Sequence, residues 1–212
     1  MHDLLRQRIV VASVLLIAGA AAWWHLSKRD SAAIIEAGFW FEPVAYGELS
    51  LGRPMTADEM ARIESTARAE LARAFDGLRI RVSNRRDVKY HVRVTDHVRD
   101  PRFERDVSVA GRSRAMAGLG GQGEVSFAFL ANSAIVYAPK DADREAIIDA
   151  IGRGIGRAAV HEFTHQLLPA APIHASRDVG SYEYRSAARA EQYYGELHWD
   201  VAWPWLVERL GP

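Results

Sequence analysis

The chain has 212 residues, room for one domain of ordinary size and an appendage. Basic and acidic residues balance at 27 each, so the clustered basic excess that marks a nucleic-acid partner is missing and none is expected. Cysteine is absent, which excludes disulfides and thiolate metal sites and leaves His, Asp and Glu as metal donors.

The first predicted element is apolar. Arg6 and Arg8 precede the run Ile9 to Trp24, and Lys28 and Arg29 follow it. The run is near the lower limit of a membrane-spanning helix, about 17–25 residues, and long for a cleaved signal, about 7–15. Gly19-Ala20-Ala21-Ala22 offers small residues to a signal peptidase, whereas Trp23 and Trp24 suit a membrane interface and favour retention. Residues 1–26 are read as a signal anchor or transmembrane helix, with a cleaved signal and a buried core helix as the alternatives. The leading arginines place the domain outside the cytoplasm, in a periplasmic or extracellular setting. Gly38, Pro43, Gly47, Gly52 and Pro54 break up residues 27–54, which are read as a linker and the first loop.

Residues 55–212 are read as the domain proper. Thr56-Ala57-Asp58-Glu59 spells a capping box, and Met60, Ile63, Ala67, Leu71 and Phe75 supply the buried stripe of the helix that follows. Alternation predicts strands at 78–82 and 91–94. Residues 97–123 are polar, end in Gly118, Gly120, Gly121 and Gly123, and are expected to form a mobile loop. A phosphate-binding loop is disfavoured, because no Gly-Lys-Ser/Thr follows. Two strands are predicted at 125–130 and 134–137. A long helix is predicted from Asp141 or Asp143 to about Leu168, with Ile147, Ile151, Gly154, Ala158, His161 and His165 on one stripe. Gly152, Gly154 and Gly156 weaken it, by about 1 kcal/mol each relative to Ala, and suggest close packing against a sheet.

That helix carries His161-Glu162-Phe163-Thr164-His165, an H-E-x-x-H motif. Positions four apart share a helix face, so both imidazoles can reach one Zn2+. Glu162 lies on an adjacent line, beside a water in the metal's open position. The bland alternative is a helix with two satisfied histidines and a surface glutamate. A catalytic zinc needs a third protein ligand. His174 is the leading candidate, nine residues after His165; Glu183, Glu191 and His198 remain alternatives.

The segment His174 to Tyr184 resembles the matrixin stretch H-S-x-x-D-P-G-A-L-M-Y, and the chain is similar to a metzincin zinc protease. That resemblance implies an α+β fold, a zincin-like mixed sheet with two long helices. It implies zinc held by His161, His165 and His174, with Glu162 as general base and acid. It also puts Tyr184 or Tyr182 near the metal, where a hydroxyl stabilises an oxyanion; a core aromatic is the competing reading for each. Asp178 is either an acceptor for a ligand imidazole or a turn cap. Trp199, Trp203 and Trp205 are either a substrate wall or, preferably, core closure. The pattern departs from the family at Leu168, where metzincins have glycine, in the longer spacing to His174, and in having Glu183 nearest the place of the turn's Met. The resulting expectation is a membrane-anchored zinc peptidase acting on peptide or protein. The rivals are a non-catalytic zincin-fold module at the membrane and a metal-assisted hydrolase of another amide.

Overall fold

Thr56 opens the first helix as its capping box predicts. Its hydroxyl accepts from the Glu59 amide at 3.2 Å, and the Glu59 carboxylate accepts from the Thr56 amide at 2.8 Å. The computed structural model describes residues 33–43, 51–99, 108–116 and 119–211. The apolar run Ile9 to Trp24 and the rest of the proposed anchor lie outside the described residues. Among those described, no helix is long and apolar enough to cross a membrane.

In chain order the elements are β1 (Ile35–Phe41), α1 (Ala57–Ala74), β2 (Ile80–Ser83), β3 (Tyr90–Thr95), β4 (Gly111–Met116), β5 (Gly120–Ser126), α2 (Phe127–Val136), α3 (Arg144–Leu167), α4 (Glu191–Tyr194) and α5 (Trp203–Leu210). A single turn of 3-10 helix spans Ile173–Ala175. The five strands form one mixed sheet in the order β2-β1-β3-β5-β4. All neighbouring pairs are parallel except β4 on β5, which is antiparallel at the edge. The fold is therefore α+β, a mixed sheet with two long helices.

Phe39 of β1, Val92 and Val94 of β3 and Val125 of β5 are fully buried, as are Ile63 and Leu71 of α1 and Ile151, Ile155 and Phe163 of α3. The opposite face of the sheet carries Trp40 and is otherwise polar. There the Glu124 carboxylate receives the guanidinium groups of Arg93 and Arg112. This alternation is what a strand with one covered face requires.

Four expectations are corrected. The stretch 27–54 is not all linker: it contains β1, which lies between β2 and β3. Gly38, taken as a breaker, sits in this strand where the Arg85 carbonyl comes so close that no Cβ would fit. The stretch 97–123 contains β4 and most of β5 rather than one loop. Its glycines make the strand bare. A Cβ at Gly123 would stand 2.8 Å from Gln166 Nε2, so these glycines let the last turns of α3 press onto the sheet. The pair of strands predicted at 125–130 and 134–137 is the end of β5 followed by α2. Ser126 caps that helix by accepting from the Phe129 amide, and Phe127, Leu130, Ala131 and Ala134 bury one face at helical spacing. Finally, the glycines of α3 pack against other helices rather than the sheet. A Cβ at Gly152 would meet Thr66 Cβ at 2.6 Å, and one at Gly156 would meet the Ala67 carbonyl at 2.5 Å, both on α1; Gly154 seats the Tyr193 ring.

Candidate metal centre

Three imidazoles converge at the end of α3. His161 and His165 stand one turn apart on that helix, and His174 comes from the 3-10 turn after it. His161 Nε2 lies 3.0 Å from His174 Nε2, and His165 Nε2 lies 3.1 Å from each of the other two. His161 Nδ1 donates to the Tyr182 carbonyl at 2.9 Å, which leaves its Nε2 as a bare lone pair. These contacts are better understood as converging donors than as hydrogen bonds. Three ring nitrogens cannot all donate to one another, but all three can point at one cation. Nitrogens about 2.0–2.1 Å from a tetrahedral ion would be roughly 3.3 Å apart, close to the observed spacing. The group can therefore hold a metal ion, and the donor set fits zinc.

The longer loop to His174 closes without the glycine that metzincins place after the second His. Leu168 ends α3 at φ −125°, its amide bonded to the Thr164 carbonyl at 2.8 Å. Pro169 and Pro172 turn the chain, and buried Ile173 anchors the 3-10 turn, leaving His174 exposed toward the cluster. A left-handed residue is unnecessary because the extra residues make the reversal gradually.

The other third-ligand candidates are engaged elsewhere. The buried Glu183 carboxylate accepts from the Ser181 hydroxyl, from the Asp200 amide at 3.1 Å and from the Ala202 amide at 2.6 Å. It ties the turn 181–184 to the start of α5. His198 Nε2 pairs with Asp178 Oδ2 at 2.9 Å, while Asp178 Oδ1 accepts from the Gly180 amide. Asp178 thus caps a turn, and the acceptor for His161 is the Tyr182 carbonyl instead. Among the described residues Glu191 joins no metal-binding group; its carbonyl accepts from Arg157.

Glu162 is 6 % exposed. Its carboxylate rests on Gly111 of β4, where a Cβ would stand 2.5 Å from Oε1. Burial pushes the Glu162 carboxyl up to about 8, opposed only by the Ser113 hydroxyl, which makes no hydrogen bond of normal geometry. Burial, and then the neighbouring His165 ring, push His161 down to about 3; burial and the His174 ring push His165 to about 4. Both histidines are held neutral near pH 7, the state in which imidazole binds metal.

The cluster opens into a cavity of about 490 Å³. Gly111, Arg112 and Ser113 of β4 form one wall, and Tyr184, Arg185 and Arg189 form another. Tyr184 is half-buried, its ring 4.9 Å from the Arg189 guanidinium carbon. Tyr182 also touches the cavity, yet its ring packs 4.8 Å from Trp199 and its buried hydroxyl has no partner. Trp199 closes the core against Phe75 and bonds the Ala74 carbonyl, whereas Trp203 and Trp205 are exposed on α5 and touch no part of this cavity. The β4 wall and the arginines left no readable mark in the sequence, since β4 lay within a polar stretch resembling a loop.

Comparisons with protein-family models, with curated proteins and with solved structures found no match to this chain.

Proposed function

We propose that the protein is a zinc-dependent peptidase of metzincin-like type. The observation that carries this reading is the convergence of His161, His165 and His174 beside a buried glutamate in an open cavity. Zinc bound there would lower the pKa of a water in its open position and polarise a scissile carbonyl. Glu162 holds the proton taken from the attacking water and delivers it to the leaving amine. Its apolar setting, which raises its pKa toward neutrality, suits a group that must both accept and release a proton at pH 7.

An extended peptide is favoured over a compact substrate by β4. It is the edge of the sheet, lines the cavity, and pairs on one side with β5. Among the described residues no strand pairs with its other side. Its free backbone groups can receive one more strand, a common way of binding peptide main chain. Tyr184, on the opposite wall, is the proposed oxyanion-stabilising hydroxyl. The apolar run Ile9 to Trp24 with its basic flanks supports tethering at the cell envelope with the domain outside.

Glu162→Gln is the direct test. Zinc content should remain at one ion per chain while peptide hydrolysis falls by about 10²-fold or more. Hydrolysis at the wild-type rate would refute the assignment. A protein that binds zinc firmly and cleaves no peptide in a broad library would instead be a binding module.

A further inference from the structure

The walls of the cavity carry an unusual charge. Arg112, Arg157, Arg185 and Arg189 line it, and Glu162 is the only acid among the described lining residues. Two of the arginines have carboxylate partners. Arg112 pairs with Glu124 at 2.8 Å and buried Arg157 with Glu70 at 3.1 Å. Among the described residues the other two form no ion pair. Arg189 is 7 % exposed, and among the described residues its nitrogens donate only to the carbonyls of Val179, Ser181 and Ser186, with Glu191 acting on its charge from beyond ion-pair distance. Arg185 is exposed and makes no hydrogen bond or ion pair among the described residues.

A buried guanidinium with carbonyl partners alone is costly, because carbonyl dipoles only partly replace water around a full charge. Its five donors form a fixed fork suited to a planar anion, and three acceptors leave part of that capacity free. Arg185 adds a second, exposed cation at the same wall. Together they make a positive subsite beside the imidazole cluster, in a cavity where field lines are concentrated by low-dielectric walls.

We infer that this subsite takes a carboxylate of the substrate, with Arg185 and Arg189 as specificity-determining residues for acidic peptides. The inference rests on the peptidase reading for its substrate class, although carboxylate binding itself does not require turnover. Arg189 also ties three carbonyls of the loop 179–186 together, so removing it endangers the fold of the wall. Arg185 makes no such ties and carries the test.

The probes are amide-capped peptides in which one Glu is scanned along the chain against its neutral isostere Gln, with a second set differing only in a free or amidated C-terminus. The zinc-loaded protein is assayed for cleavage, and zinc-loaded Glu162→Gln protein for binding by fluorescence anisotropy. A Glu-over-Gln preference of about tenfold or more at one position supports a side-chain carboxylate; the same preference for the free C-terminus supports an α-carboxylate. In either case Arg185→Ala should abolish most of the preference and Arg185→Glu should invert it toward Lys. Equal binding of acidic and neutral peptides would overturn the inference while leaving the peptidase reading intact. A preference that survives Arg185→Glu would show that Arg185 takes no part in the subsite and would overturn the inference too. Carboxylate-selective binding without cleavage of any peptide would uphold the subsite and discard the peptidase.

Discussion

The Tyr182 carbonyl accepts a hydrogen bond from His161 Nδ1 at 2.9 Å, so the tautomer of a candidate metal ligand is set by main chain rather than by a side chain. The side chain of the same tyrosine contributes differently. Its hydroxyl is buried without a partner, which costs about 1–3 kcal/mol. Tyr182→Phe should therefore leave zinc affinity unchanged and raise the melting temperature by a few degrees. Calorimetry with and without zinc measures both. A large loss of zinc affinity would show that the hydroxyl, not the carbonyl, governs the site.

Gly111 and Glu162 are packed so closely that an added methyl must displace the carboxylate. In Gly111→Ala the flexible end of Glu162 should swing aside, which changes stability little but moves the proton acceptor. Peptide turnover should drop by at least about tenfold with zinc content unchanged. Kinetics alongside metal analysis would test this, and a fully active variant would mean that Glu162 is not the proton carrier.

The neutral state of the cluster has a pH signature. His161 and His165 in the folded chain resist protonation until about pH 3 and 4, whereas in the unfolded chain they protonate near 6.5. The metal-free protein should lose stability as pH falls from 6.5 toward 4, with an uptake on unfolding approaching about two protons. Glu162 acts with the opposite sign. Its raised value makes the folded state less favourable as pH rises from 4.5 toward 8. Thermal unfolding of Glu162→Gln protein in chelator isolates the histidine effect. A flat profile between pH 6.5 and 4.5 would contradict the buried, neutral cluster. Zinc should remain bound to about pH 5, lower than for three exposed histidines.

Glu70 on α1 and Arg157 on α3 form a buried pair, 3.1 Å apart, that joins the two long helices. Glu70→Gln leaves the Arg157 charge buried and should cost about 3–5 kcal/mol, read from the denaturation midpoint. Replacing both, by Glu70→Leu with Arg157→Met, should restore much of that loss. A single change costing under about 1 kcal/mol would show that Arg73 and water screen the pair.

Much of the site was legible because its signals are local. The H-E-x-x-H letters sit on a helix whose Asp143 cap and apolar stripe are strong, and the two prolines after Leu168 announce a turn toward His174. The capping box at Thr56 is equally local. What failed to show depends on distant partners. Glycine reads as a breaker in isolation, yet Gly38, Gly121 and Gly123 lie in strands because another segment needs the room. The run Phe127 to Val136 is so apolar that strand and helix periods look alike, and the Ser126 cap was the signal overlooked. The arginines of the cavity wall could not be separated from surface charge without knowing which had carboxylates beside them.

The position of β1 has a practical consequence. It pairs with β2 on one side and β3 on the other, joining strands that are not neighbours without it. A shortened chain beginning at residue 55 would keep the three imidazoles of the cluster and lose the middle of the sheet. Its β2 would be left with no ladder partner, and the remainder would expose a new edge beside Val92 and Val94. Such a fragment should precipitate rather than yield a weak enzyme, so the smallest soluble form of the protein must begin ahead of Ile35.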